Sequence, residues 1–286
     1  MLVVDKLSKT YPTFTLKEVS FELPAGYIMG FIGINGAGKT TTLKSIMNIV
    51  RPEYGHITFL GKEMHAHEFE LKQKIGFMLE PVDFYPKHPV WKIIDVYKRF
   101  YDEWDDGVFA AHLARFRIDD RKKISELSAG MRVKLGIAMA LSHNAKLIIL
   151  DEPTSGLDPM AREELLDLLR EIVEDGERSV LFSTHITSDL DKCADYVIFI
   201  RNGELIANDT KDDLIDKHAV VSGKVSGLSD ELKRRMIGYK TNSFGFSGLI
   251  LKTDLDKGIY GTVLRTEKPN LETLMLYYNM EVQNEK

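Results

Sequence analysis

The nine residues Gly33–Thr41, "GINGAGKTT", decide the fold. They follow an apolar, strand-sized run, "YIMGFI", and open a helix-forming run, "KTTTLKSIM". The spacing G-x-x-x-x-G-K-[ST] is satisfied by Gly33, Gly38, Lys39 and Thr40. Each residue type answers a physical need. Glycines let successive backbone N–H groups curl around phosphate oxygens without a side chain in the way, so Asn35, Gly36, Ala37 and Thr41 join the cradle through their main chain. The helix N-terminus turns its positive end toward the anion, Lys39 reaches the β- and γ-phosphates, and the Thr40 hydroxyl is a magnesium ligand. The competing reading is a glycine-rich strand-to-helix turn with no ligand; the strand before and the helix after favour the cradle.

Two further strand exits carry charge. In "LIILDEPTSGLD" a buried apolar run ends on Asp151 and Glu152, and in such sheets ligands sit at the C-terminal edge. Asp151 is expected to hold magnesium, and Glu152 to polarise an attacking water. "FSTHI" places His185 after the next buried run, on the same edge. Taken alone it reads as a loop histidine with satisfied hydrogen bonds, and beside the carboxylates as a γ-phosphate contact. Tyr11 in "TYPTF" leaves two readings open, a packed tyrosine or a platform for a base ring.

The alternation of strands and helices to about residue 216 points to an α/β core with a mainly parallel sheet. Residues 1–32 read as β strands, and 81–143 as a mostly helical subdomain. From 217 to 286 the pattern changes to "AVVSGKV", "MIGYKT", "GFSGLILKT" and "IYGTVLRTE", with helices at "DELKRR" and "NLETLMLYYNM", which predicts a small C-terminal α+β domain. A formal charge of −5 argues against a nucleic-acid partner. Cys193 is the single cysteine, so no intrachain disulfide is possible, which fits a cytoplasmic setting. No apolar run reaches the roughly 20 residues of a membrane helix, so any membrane role is expected through a partner.

"ELSAGMR", 126–132, raises a different question: Ser128 is a good N-cap and Gly130 admits close backbone approach, as if a second phosphate were expected. Together the motifs resemble the nucleotide-binding subunits of ABC transporters over residues 1 to about 215. They come in that family's order: the aromatic loop at Tyr11, the Walker A cradle, the "LSAGM" signature, the Walker B strand "LIILDE", the "SGLD" loop with Asp158, and the "FSTHI" histidine loop. The resemblance implies that two ATPase subunits, identical or not, pack head to tail. Each ATP would then lie between one cradle and the partner's Leu127, Ser128, Ala129 and Gly130. It implies ATP and Mg2+ as ligands, Glu152, His185 and Lys39 as catalytic groups, a separately encoded transmembrane subunit, and a position on the inner face of the membrane. "EKPNLETLMLYY" is similar to the tail of bacterial ABC-2 exporter ATPases, and "FMLEPVDFYP…FYDEWD" to Gram-positive systems that include exporters of cytolytic peptides.

The chain departs from the family pattern at three places. Ala129 and Met131 replace a glycine and a glutamine of the signature, and Glu80 stands where a glutamine contacts the metal. Glutamate there is expected to strengthen magnesium binding, repel the γ-phosphate and so tune hydrolysis; the competing reading leaves Glu80 in solvent. The resemblance implies that the aromatic segment 84–104 bounds a groove for a helix of the membrane subunit, with Phe84, Tyr85 and Trp91 nearest it; the competing reading packs most of these rings into the helical subdomain itself. The alternatives are a non-transport ABC ATPase and an ATP-binding regulator with weak hydrolysis. One cassette and 286 residues disfavour the first, and Glu152 with His185 the second.

Overall fold

A computed structural model describes residues 1–79, 85–255 and 265–280. The strands are β1 (Leu2–Tyr11), β2 (Phe14–Leu23), β3 (Ile28–Ile32), β4 (Tyr54–Phe59), β5 (Lys62–Glu63), β6 (Ile75–Met78) and β7 (Leu147–Asp151). They continue with β8 (Ser179–Thr184), β9 (Tyr196–Arg201), β10 (Glu204–Thr210), β11 (His218–Gly223), β12 (Gly238–Asn242), β13 (Gly245–Leu251) and β14 (Arg265–Glu267). The helices are α1 (Lys39–Ile46), α2 (Glu68–Lys72), α3 (Val90–Tyr97), α4 (Asp106–Phe116), α5 (Ala129–Leu141) and α6 (Pro159–Val173). After these come α7 (Thr187–Cys193), α8 (Lys211–Asp216), α9 (Asp230–Arg235), α10 (Lys252–Leu255) and α11 (Leu271–Tyr278).

The central sheet runs β10-β9-β3-β8-β7-β6, parallel except for the antiparallel edge strand β10. β3, β7 and β8 are buried at every position, which is why they read as unbroken apolar runs. One face of this sheet (Met29, Phe31, Ile149, Leu181) packs on the antiparallel sheet β2-β1-β4-β5. The other face (Ile28, Ile32, Ile148, Leu150, Phe182) packs on α6 and α7. Cys193 belongs to that second face, where burial pushes its thiol up to about 12; it is a packing group.

Pairing register sets the site. Ile32 lies opposite Thr184, and Asp151 opposite Ser183, so β8 sits between the two motif-bearing strands. Three exits, at Gly33, Glu152 and His185, therefore meet at one edge.

The helical layer is α3, α4 and α5 around Ile93, Phe109, Leu113 and Leu135, with Trp104 and Met131 partly buried against it. Helix formation spans 90–143 only in part: the chain between α4 and α5 is loop and one short 3-10 turn. Gln73 hinges this layer to the sheet: Gln73 Nε2 donates to Phe100 O at 2.7 Å, and Asp102 N donates to Gln73 Oε1 at 2.9 Å. His143 stacks on Tyr101 with ring centroids 3.8 Å apart, and its Nδ1 is 3.1 Å from Gln73 O.

The C-terminal sheet β12-β13-β11-β14 has a small core of its own, with Val221, Leu232, Phe246 and Ile250. Its last described helix, α11, instead joins the main core through Leu271, Leu274 and Tyr277. Tyr278 stacks near Phe199 of β9, and its hydroxyl is 2.8 Å from His218 Nε2. Sequence reading did not find β10, α8, β5 or α2. Part of the strand expected at "IYGTVLRTE" falls outside the described residues.

Burial holds His143 down at about 4. Below pH 6.5 the unfolded chain therefore binds a proton that the folded chain refuses, so stability is complete above about pH 6.5 and is lost as pH falls toward 4. His143→Gln should remove about 2 kcal/mol from the stability difference between pH 7 and pH 4.5, read from urea unfolding at both pH values.

Candidate active site

The cradle closes because its backbone turns where only glycine is comfortable. Gly38 caps α1 at φ +116, and a Cβ on it would lie 2.9 Å from Phe14 of β2. Lys39 is 6% exposed, and burying its charge requires partners. Its Nζ donates to Gly33 O at 2.8 Å and pairs with Glu152 Oε1 at 3.1 Å.

Thr40 Oγ1 donates to Asp151 Oδ2 at 2.6 Å, so the two expected metal ligands already touch. Asp151 Oδ1 accepts a short hydrogen bond from Ser183 Oγ. Glu152 stands at φ +49, a left-handed conformation for a residue with a side chain. Its amide donates to both Ser183 O (3.1 Å) and Ser183 Oγ (3.0 Å). His185 Nδ1 lies 2.7 Å from Glu152 Oε2. Ser183 thus braces the Asp151 carboxylate and the Glu152 main chain, a role that nothing in a buried apolar strand signals except a polar residue spaced by two from the histidine.

A pocket of about 550 Å3 opens above these groups. Tyr11, Asn35, Gly36, Ala37, Gly38, Lys39, Thr40, Thr41 and Glu152 line it, together with Phe14 and the hairpin turn Pro12-Thr13. Tyr11 ends β1 opposite Phe14, is 37% exposed, and carries Lys9 Nζ 5.9 Å from its ring centre. This is an aromatic wall available to a flat ring.

The signature residues do not line the pocket. Ser128 caps α5, its Oγ accepting from Met131 N at 3.2 Å, which leaves the amides of Ala129 and Gly130 without an intrahelical acceptor. Leu127 is buried, and its carbonyl accepts from Arg132 Nη1 at 2.8 Å. A Cβ on Gly130 would come 3.3 Å from Ala161 of α6, so the starts of the two helices nearly touch. Asp158 caps α6, accepting from Met160 N and Ala161 N at 3.0 Å each. Met131 turns toward the apolar helical layer, which gives a physical reason for methionine at that position. Glu80 and Phe84 lie outside the described residues.

Residues 16–155 match the family described as ABC transporter. A lantibiotic transport ATP-binding protein, SrtF of Streptococcus pyogenes, is 32% identical over 72% of this chain and 89% of its own length. The chain belongs to the ABC transporter ATP-binding family. Another member, the uncharacterized ABC transporter ATP-binding protein YdbJ of Bacillus subtilis (strain 168), is 36% identical over 67% of this chain, and the match spans 63% of that protein's length. Among solved structures, one titled "Structure of ATP binding subunit of ABC transporter" aligns with a TM-score of 0.67 at 27% identity, covering 76% of this chain and 92% of the other. The α/β architecture with its mainly parallel sheet is that of ABC ATPases.

Gly38→Ala forces a left-handed alanine against Phe14. It should cost about 1–3 kcal/mol of stability in denaturant unfolding and abolish binding of a fluorescent ATP analogue.

Proposed function

We propose that this chain is the ATP-binding and ATP-hydrolysing subunit of a membrane exporter, working as a head-to-tail pair beneath a separately encoded transmembrane subunit. The observation that carries it is the placement of Glu152, 3.1 Å from the cradle lysine and 2.7 Å from His185 at one sheet edge. A carboxylate there can orient water in line with a γ-phosphate, and His185 would contact that phosphate. Lys39 would exchange Glu152 for phosphate oxygens.

The donor set suits magnesium: a hydroxyl and a carboxylate oxygen already 2.6 Å apart, both hard ligands, with too few protein ligands to hold the ion without substrate phosphates. Thr40 and Asp151 would hold it, with Glu80 as the third candidate, and the ion would neutralise charge on the phosphates. Tyr11 would stack on the base.

The pocket is walled by this subunit on one side. The amides of Ala129 and Gly130 form a second anion-seeking helix end that does not line this chain's own pocket, which supports a partner's cradle as its target. Asp158, at the adjoining helix start, would border the same contact.

A groove of about 320 Å3 beside α3, with Tyr85, Ile93, Val96, Tyr97 and Phe100 in its wall, supports docking of an apolar helix from the membrane subunit. Trp91 on α3 is half-exposed. Among the described residues no helix is long and apolar enough to cross a membrane, so association with the inner face of the membrane would rest on this contact. The lantibiotic transport relative supports a lantibiotic-type cargo, selected by the membrane subunit. Residues 217–286 are proposed as an accessory domain to the 1–216 cassette.

Glu152→Gln should lower ATP turnover by about 10²–10³-fold and accumulate an ATP-bound dimer on size-exclusion chromatography. Equal turnover would remove Glu152 from the chemistry. Ala at Tyr85 and Trp91 together should weaken binding to the membrane subunit about 30-fold while leaving ATP affinity unchanged, as read by co-purification and nucleotide titration.

A further inference from the structure

One buried acid lies outside the pocket, yet it is tied to both loops that face it. Asp189 of α7 is fully buried, four residues beyond His185. Its Oδ1 accepts from Arg162 Nε at 2.5 Å, and its Oδ2 from Thr154 Oγ1 at 2.7 Å and, more weakly, Thr184 Oγ1 at 3.5 Å. Arg162 also donates from Nη2 to Ser188 Oγ at 2.8 Å. Thr184 Oγ1 in turn accepts from Ile186 N at 3.0 Å, which shapes the turn that carries His185.

We propose that Asp189 is a positioning residue for ATP hydrolysis, one carboxylate that fixes Glu152 and His185 relative to each other. The proposal rests on the hydrolytic reading of the site given above. Thr154 is two residues past Glu152, and Thr184 immediately precedes His185, so both reacting loops hang from the same oxygen, Oδ2. Arg162 lies one turn into α6 from its cap Asp158, so the start of the helix beside the signature is tied to this carboxylate as well.

The physical need is clear at Glu152. A left-handed backbone on a residue with a side chain persists only where its surroundings over-determine it. Ser183 holds Glu152 from the upstream side through two hydrogen bonds to its amide. Thr154, gripped by Asp189, holds the loop from the downstream side. With Asp189 neutral or Thr154 without its hydroxyl, the loop keeps its chain path but loses the constraint on where the Glu152 carboxylate points. A displacement of about 1 Å at a reacting group costs up to 10²-fold in rate. Asp189 does not line the nucleotide pocket, so ATP binding should not register the change.

The test is steady-state ATP hydrolysis by the full chain with magnesium, comparing wild type with Asp189→Asn, Thr154→Val and Thr154→Ser. Asp189→Asn and Thr154→Val should lower kcat about 10-fold or more with KM for ATP within about 2-fold of wild type, and Thr154→Ser, which keeps the hydroxyl, should stay within about 2-fold in kcat. Asp189→Asn leaves the charge of Arg162 unpaired; if that variant does not fold, the Thr154 pair decides alone. The proposal is overturned if Thr154→Val keeps its kcat, if KM rises in step with the fall in kcat, or if Thr154→Ser falls as far as Thr154→Val. A wild-type chain that does not hydrolyse ATP sinks the hydrolytic reading and this proposal with it, whereas equal turnover by wild type and variants sinks this proposal alone.

Discussion

An almost fully buried ammonium group needs compensation, and the rest of the site is organised around supplying it to Lys39. A carbonyl of the cradle and the Glu152 carboxylate do so. Glu152 is in turn shared with His185, and Asp151 is shared between Thr40 and Ser183. Each of these polar groups at the sheet edge is therefore committed to a neighbour. On the function proposed above, nucleotide binding to such a site would be an exchange of partners: phosphate would replace carboxylate at Lys39 and free Glu152 for water.

This arrangement depends on the order of strands more than on any loop. β8 lies between β3 and β7, and its register puts Ser183 beside Asp151 and Thr184 beside Ile32. A shift of one residue would turn Ser183 to the other face and leave the Asp151 carboxylate and the Glu152 amide without their shared hydroxyl. Such a shift is prevented by the two apolar faces, because Phe31 and Phe182 pack into different layers. Core packing thus fixes the polar geometry.

Much of this was legible in the amino acids. The glycine spacing, the carboxylates and the histidine each fall directly after a buried apolar run, and a parallel sheet brings such exits together. The lysine's internal counter-ion was not legible, since a sequence names the cradle without showing what fills it. Ser183 and Thr154 were passed over because hydroxyl residues in or beside strands have no distinctive spacing. Tyr11 stayed open between two readings until pairing with Phe14 put it on the pocket wall. Met131 looked like a lost polar contact and proved to be a packing residue of the helical layer. The edge strand β10 went unrecognised because its polar stretch "ELIANDT" carries only weak alternation; its antiparallel partner β9 supplies the order its own residues do not.

Helix α11 adds a constraint in time. Leu271, Leu274 and Tyr277 complete the same apolar cluster that β3, β7 and β8 begin. During synthesis the nucleotide-binding half emerges first, with that flank still wet, and the cluster closes only after residues 271–278 have left the ribosome tunnel. Nascent chains of this protein must therefore wait, partly open, for α11 to arrive.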